Sequence, residues 1–437
     1  MTPLSGAVAG RNVKFAILVS ALGYFVDIFD LLLFAIVRVE SLKSLGVPVD
    51  QLKQTGLWLD NYLQVTGLVV GGVVWGVIAD RRGRLSVLFG SILVYSVANI
   101  LNAFIADVPR EGFGALMHSV GLGSALNQYG VLRFVAGFGL AGELGAAITL
   151  VSELVSKERR GLATTFVATV GILGAVVAYF ITQYVGWRTA FLIGGILGLA
   201  LLVLRVGVAE SGMFETVHRR HAPARGAFWL LVYPWKRGRR YLGVVLCAIP
   251  IWFCVGILVK YCDAIGASMG MPEGARPSPG LAIMWCYVGL ALGDLGSGLL
   301  SQAIGSRRKA LWTFHALTAL SMALYFTVGS SSLVAFYGCV AFVGFASGYW
   351  AVFVTTAAEQ FGTNLRATAT TSAPNFVRWS AAGSAFLWTQ CEVVLGGGPS
   401  TPWVAALVVG AILLPIAVVS VFLLPETYGR DLNFVED

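Results

Sequence analysis

The sequence predicts an all-α membrane protein, with twelve transmembrane helices in two pseudo-symmetric six-helix bundles. Three observations carry that expectation. Of the 437 residues, 57% are hydrophobic and 12% are charged, more apolar surface than one water-exposed domain hides. Apolar runs of about 20 residues, long enough to cross a hydrocarbon core of ~30 Å, recur along the whole chain. A charged turn between two such runs, Gly76-Val77-Ile78-Ala79-Asp80-Arg81-Arg82-Gly83-Arg84, returns later in a worn copy, Gly298-Leu299-Leu300-Ser301-Gln302-Ala303-Ile304-Gly305-Ser306-Arg307-Arg308.

The first run, near 15 to 37, follows Arg11 and Lys14, as a signal peptide would. Asp27 and Asp30 interrupt it and no small-residue cleavage site follows, so it reads as a helix that is retained. Runs near 57 to 79 and 86 to 106 flank the charged turn. The fourth, 128 to 152, comes after an over-long loop from 107 to 127 and takes in polar residues early. Runs at 162 to 185 and 187 to 206 complete a first bundle, 1–206. The segment 207–240 reads as a basic cytoplasmic linker, in which Arg219, Arg220, Arg225, Lys236, Arg237, Arg239 and Arg240 mix with Phe228, Trp229, Tyr233 and Trp235. That mixture suits a headgroup layer, with part of the linker lying along the surface as an amphipathic helix. The second bundle, 241–437, has runs at 241 to 263, 280 to 304, 310 to 328, 333 to 356, 367 to 392 and 403 to 424, then a short cytoplasmic tail.

Lys and Arg accumulate in cytoplasmic loops. With a cytoplasmic N terminus, most of the 30 Lys and Arg fall on the inside; the outside loops hold Arg38, Lys43, Lys53, Arg110, Arg188, Lys260 and Arg276, and Arg133 and Arg378 remain within spans. Both termini are therefore expected in the cytoplasm, and the net charge of +8 serves orientation in a plasma (inner) membrane. It forms no nucleic-acid surface.

The repeat extends beyond one motif. Gly142, Glu153 and Arg160 recur as Gly348, Glu359 and Arg366 at one constant offset, and Arg160-Gly-Leu-Ala-Thr-Thr nearly repeats as Arg366-Ala-Thr-Ala-Thr-Thr. Two such halves around a central site are the architecture of alternating-access carriers.

Catalysis finds no support. The four histidines, His118, His218, His221 and His315, are scattered, and the six cysteines sit in apolar spans without metal-ligand spacing. No G-x-x-x-x-G-K-[ST] run is present. No enzyme activity, cofactor or metal is expected.

An ionisable side chain in hydrocarbon costs at least ~2.5 to 3.5 kcal/mol, so it faces a cavity and has a partner or a task. Asp27, Asp30, Arg133, Glu143, Asp294 and Arg378 are the candidates. Helical rise brings Asp30 and Arg133 to a similar height, where they can pair. Such a pair is a proton switch, because protonation of the acid then follows its separation from the arginine; a static ion pair that fixes packing is the alternative. Asp27 shares a helical face with Asp30. Glu143 lies in a Gly-rich run that lets helices approach closely, as a coupling acid or an interhelical hydrogen-bond donor. Arg378 suits a substrate carboxylate, or else pairs with Asp294 or another helix. Trp252, Tyr287, Tyr349 and Trp350 are candidate cavity walls or packing residues.

In these residues the chain resembles the major facilitator superfamily over essentially its whole length. The family's loop signature, G-x-x-x-D-R-x-G-R, is matched in full by Gly76, Asp80, Arg81, Gly83 and Arg84, while Gln302 and Ser306 depart from it in the second copy. Asp27-Ile-Phe-Asp30, Arg133-Phe-Val-Ala-Gly137-Phe-Gly139-Leu-Ala-Gly142-Glu143, Gly186-Trp187-Arg188, Glu210-Ser211, Glu359-Gln-Phe361-Gly-Thr363 and Pro425-Glu426-Thr427 with Gly429-Arg430 resemble the proton-linked metabolite, aromatic-acid and sugar symporter branches. The resemblance implies an inter-half gate on the cytoplasmic side made from Asp80, Arg81 and Arg84, Glu153 with Arg160, and Glu359 with Arg366. The drug-exporter pattern G-x-x-x-G-P is absent from the fifth run, and the seventh lacks the Gln-Gln pair of sugar porters.

The expected function is proton-coupled symport of a small organic anion or zwitterion, one with a carboxylate, by a monomer whose partners are that substrate, the proton and the lipid bilayer. The alternatives are a proton-independent facilitator of a sugar or neutral metabolite, and a non-transporting membrane sensor.

Overall fold

Long apolar runs become long helices, and short polar breaks end them. In the computed structural model, which describes residues 6–437 except 144, 146, 149, 150, 152–154, 156, 205–226, 273, 431–433 and 437, the helical stretches in order are α1 (Gly6–Ser44), α2 (Val49–Arg82), α3 (Arg84–Asn102), α4 (Ala125–Leu140), α5 (Ala163–Thr182), α6 (Trp187–Leu204), α7 (Trp235–Val259), α8 (Pro279–Ala303), α9 (Arg307–Thr327), α10 (Leu333–Gln360), α11 (Arg366–Val394) and α12 (Thr401–Ser420). Among the described residues, nine stretches are long and apolar enough to cross a membrane: α1, α2, α5 to α10 and α12. α3 is a shorter apolar helix, residues beyond the end of α4 are partly outside the described set, and α11 is polar because its Thr- and Ser-rich start packs inside the bundle.

Local chemistry sets several ends. Ser124, Ser306 and Ser332 accept the backbone N–H of Asn127, Lys309 and Ala335 at 3.2, 3.2 and 3.1 Å, so hydroxyl caps start α4, α9 and α10. The two motif glycines, Gly83 at φ 101° and Gly305 at φ 60°, make the sharp turns after α2 and α8 in a region that side chains avoid. We name the end bearing these turns the near end and the opposite one the far end.

Two helices change winding. α2 is π-helical over Leu57–Gln64 and α7 over Cys254–Val259, a rare geometry that concentrates at functional places. α10 breaks at Gly348 and Tyr349 and resumes at Trp350. α1 continues to Ser44, beyond the expected end near 37, so Arg38 is part of a helix and 2% exposed; Lys260, expected in an outside loop, is equally buried.

Ionisable side chains of the spans lie inside the bundle and large apolar ones lie on its surface, as a lipid solvent requires. Phe104, Leu292, Val419 and Phe422 are 59 to 69% exposed, whereas Asp27, Asp30, Arg133, Glu143 and Asp294 are all at 0%. The first six helices meet the last six chiefly where α2 packs on α11 and α5 packs on α8.

Candidate functional site

α1, α5, α7, α8, α10 and α11 enclose a narrow central cavity. Every residue that lines it is buried, from Tyr24 and Ile28 on α1 to Arg378 on α11. Four aromatic rings, Tyr24, Trp252, Tyr287 and Trp350, share the wall with five aliphatic side chains. The Arg378 guanidinium lies near two of them, 5.9 Å from the Trp252 ring centre and 5.4 Å from that of Trp350. Its Nη1 donates to Asn375 Oδ1 at 2.9 Å, and among the described residues its Nε and Nη2 have no hydrogen-bond partner. A buried cation with two unused donors and two aromatic rings nearby has the chemistry to take a planar carboxylate.

Of the residues the sequence points to, Trp252, Tyr287, Trp350 and Arg378 meet in this cavity. Tyr349 does not: the break in α10 turns it aside, where its hydroxyl donates to the Cys247 carbonyl at 3.2 Å and its ring packs on Phe314 and His315. Asp294 does not pair with Arg378 either. Its Oδ1 accepts the Ala351 N–H at 2.9 Å, satisfying the restarted turn of α10, and Oδ2 stays without a partner. Tyr24 and Ile28, which composition gives no reason to select, supply the α1 wall.

Asp30 and Arg133 belong to a second buried group, formed by side chains of α1, α3, α4 and α6. The expected ion pair is not made. Arg133 Nη2 donates to Asn99 Oδ1 at 2.7 Å, and the guanidinium lies 4.5 Å from the Phe191 ring centre. Among the described residues neither Asp30 oxygen has a hydrogen-bond partner, although the Arg133 charge and the Asn99 amide act on it. Gly194 makes room for the acid, since a Cβ there would lie 2.0 Å from Asp30 Oδ1. Asp27 is buried on the same helix and lies within electrostatic reach of Tyr24. Glu143 is also fully buried, just past a loosened turn at 141 and 142.

Both ends of the molecule are closed. At the far end three ion pairs join the first six helices to the last six: Lys260 to Asp60 at 2.7 Å, Arg38 to Asp263 at 2.8 Å and Lys53 to Glu392 at 2.6 Å. Asn61 in the π-helical stretch of α2 donates to the carbonyls of Gly256 and Ala381, both at 3.3 Å. At the near end Asp80 accepts the N–H groups of Ala367 and Thr368 at 3.2 and 2.8 Å and the Thr368 hydroxyl at 2.6 Å. Gly76 allows that approach, because a Cβ would come within 2.9 Å of Thr368 Cα. Thr164 and Thr355 hydroxyls meet at 3.2 Å beside it.

The other near-end residues divide. Arg81 is exposed where α2 ends. Glu359 is held by Arg307, whose Nη2 and Nε donate at 3.0 and 3.2 Å, and by the Thr427 hydroxyl at 2.9 Å. Arg366, its expected partner, donates to the Ala358 carbonyl at 3.3 Å. Glu153 lies outside the described residues, as do the side chains of Arg84 and Arg160, Glu210-Ser211 and most of the linker.

With this geometry established, comparison with known proteins identifies the family. The profile of the Major Facilitator Superfamily matches residues 20–386. A putative niacin/nicotinamide transporter of Bacillus subtilis (strain 168) is 26% identical over 370 residues, covering 82% of this chain and 84% of that protein. The 3-(3-hydroxy-phenyl)propionate transporter of Escherichia coli (strain K12) is 27% identical over 309 residues, 70% of each. Among solved structures, that of the proton:xylose symporter XylE bound to 6-bromo-6-deoxy-D-glucose superposes with a TM-score of 0.68 over 97% of this chain and 98% of that one; at 18% identity this is a likeness of fold. The chain belongs to the major facilitator superfamily and is a multi-pass membrane transporter, not an enzyme.

Proposed function

We propose that this protein is a proton-coupled symporter of a small aromatic or similarly planar carboxylate, working by alternating access between two six-helix bundles of a twelve-span monomer, with both termini in the cytoplasm. The observation that carries the reading is Arg378: a buried guanidinium with two unused donors, near Trp252 and Trp350 in a cavity closed at both ends. Aromatic rings in the wall favour a flat cargo, and the unused donors favour an anion. The names of the relatives, which refer to niacin and to a hydroxyphenylpropionate, agree with that chemistry.

Coupling runs along α1. Tyr24, Asp27 and Asp30 are spaced three apart and so share a face of the helix; the first lines the cavity and the last lies beside Arg133 and Asn99. A rocking movement that changes the distance from Asp30 to Arg133 changes the affinity of the acid for a proton. The pairing of α2 with α11 and of α5 with α8 is what a twofold relation between bundles requires, and the turns at Gly83 and Gly305 agree with it.

The test is uptake of nicotinate, 3-(3-hydroxyphenyl)propionate or xylose by proteoliposomes under an imposed pH gradient. Accumulation of an aromatic acid above equilibrium, abolished by a protonophore, is expected. Equilibration that ignores the gradient would mean a facilitator, and uptake of xylose alone would remove the carboxylate reading.

A further inference from the structure

A second cavity, remote from the central site, opens at the near end. It lies open between the start of α7 and the segment after α12, and among the described residues its charged lining is Lys236, Arg237, Arg240, Glu426, Arg430 and Glu436. Both acids are already engaged. Glu426 accepts the N–H groups of Arg307, Arg308 and Tyr428 at 2.9, 3.3 and 3.1 Å, and Glu436 accepts from Arg240 Nη2 at 3.0 and 3.1 Å. Arg240 also donates to the Gln360 carbonyl at 2.8 Å. Lys236 is exposed and forms no ion pair among the described residues. Arg430, also exposed, stacks on Phe434 with its guanidinium 4.4 Å from the ring centre. The cavity is therefore positive where it is open, and cations of this kind bind phosphoryl oxygens through charge-assisted hydrogen bonds.

An independent feature tells which phosphate. Directly before these cations, Trp229, Tyr233 and Trp235 are 61, 71 and 67% exposed. Trp and Tyr concentrate at the headgroup level of a bilayer, where the ring meets apolar chains and the polar atom meets water. The described contacts of Asp80, with Ala367 and Thr368, involve none of these rings. Three exposed rings suited to the chain layer, beside the exposed cations Lys236 and Arg430 suited to the headgroup layer, specify an amphiphile, not a dissolved ion.

We propose that the cavity formed by Lys236, Arg237, Arg240 and Arg430 binds the phosphodiester headgroup of an anionic phospholipid, anchored on the Trp229, Tyr233 and Trp235 edge. The site is separate from the central cavity, so it stands whatever the cargo.

Native mass spectrometry of the full-length protein in detergent, titrated with phosphatidylglycerol or with phosphatidylcholine of the same chains, tests it. Wild type should retain phosphatidylglycerol in preference. The double variant K236Q/R430Q should lose that preference by about 30-fold, from two basic residues near a charged headgroup. K236R/R430K should keep it, and K309Q, an exposed cation of the near end that does not line the cavity, should behave as wild type; an unchanged melting temperature keeps K236Q/R430Q informative, and K236R/R430K serves if that variant is unstable. Equal retention of both lipids by wild type, or an undiminished preference in K236Q/R430Q, would overturn the proposal. Full displacement of phosphatidylglycerol by inorganic phosphate, with equal thermal protection, would assign the site to a free anion and overturn the lipid.

Discussion

Lys260 Nζ lies 2.7 Å from Asp60 Oδ2, joining the end of α7 to the π-helical stretch of α2 with both side chains only 3% exposed. An ion pair this dry is weak evidence for stability as such, because desolvation offsets much of the attraction. What it enforces is completeness: either partner alone is a bare buried charge.

Replacing Lys260 by Met should therefore destabilise the closed far end by roughly 3 to 5 kcal/mol. The double change D60L/K260M should recover most of the loss. Thermal unfolding in detergent, with cysteine labelling of far-end positions, reads both; a single variant as stable and as protected as wild type would show that the pair holds nothing.

Arg378→Gln removes the free donors of the central cavity. Hydrogen bonds to a charged group are worth roughly 1.5 to 3 kcal/mol, so nicotinate binding should weaken by roughly 10- to 150-fold. Arg378→Lys keeps the charge and loses the fork, and its affinity should fall between the two. Unaltered binding in Arg378→Gln would place the carboxylate elsewhere.

Gly194→Ala puts a methyl 2.0 Å from Asp30 Oδ1, which forces the acid or α6 to shift. Uptake driven by a pH gradient should fall to the equilibrium level while exchange of cargo at equal pH continues. Loss of both, with the melting temperature preserved, would make Asp30 part of cargo movement itself.

The Glu426 carboxyl, beyond the last span, carries a pH signature of its own. Burial raises its pKa, but hydrogen bonds from Ser306, Arg307, Tyr428 and Arg308 outweigh burial and hold it below the ordinary glutamate value of 4.5. A depressed value means that the folded state favours the carboxylate. This stabilisation is complete above 4.5 and is lost as pH falls through the lower folded value. The melting temperature of wild type should thus decline on acidification through that window, and Glu426→Gln should be less stable at neutral pH with a flatter profile. Parallel profiles would exclude the Glu426 carboxylate as the cause.

Much of the architecture is legible in the sequence because lipid imposes a simple rule, and the same rule marks Asp27, Asp30, Arg133, Glu143, Asp294 and Arg378 as interior. Hydropathy reports depth but not direction around a helix, which is why Tyr349 was expected beside Trp350 in the cavity wall and Tyr24 was not. The far-end pairs escape for another reason. Lys260 and Asp60 are 200 residues apart, Arg38 and Asp263 are 225 apart, and Lys53 and Glu392 are 339 apart, each at a span end where a charge looks like a loop charge. Asn99, the acceptor for Arg133, is one neutral amide in an apolar run. The use of Asp294 on α10 depends on a break at Gly348 that no local signal announces.

Leu365 gives no side-chain cap to α11, and Asp80 of α2 serves in its place. Drawing α2 away strands two amide hydrogens that hydrocarbon has nothing to offer. That mouth of the protein can part only as solvent follows in behind the retreating carboxylate, so wetting and opening are a single event.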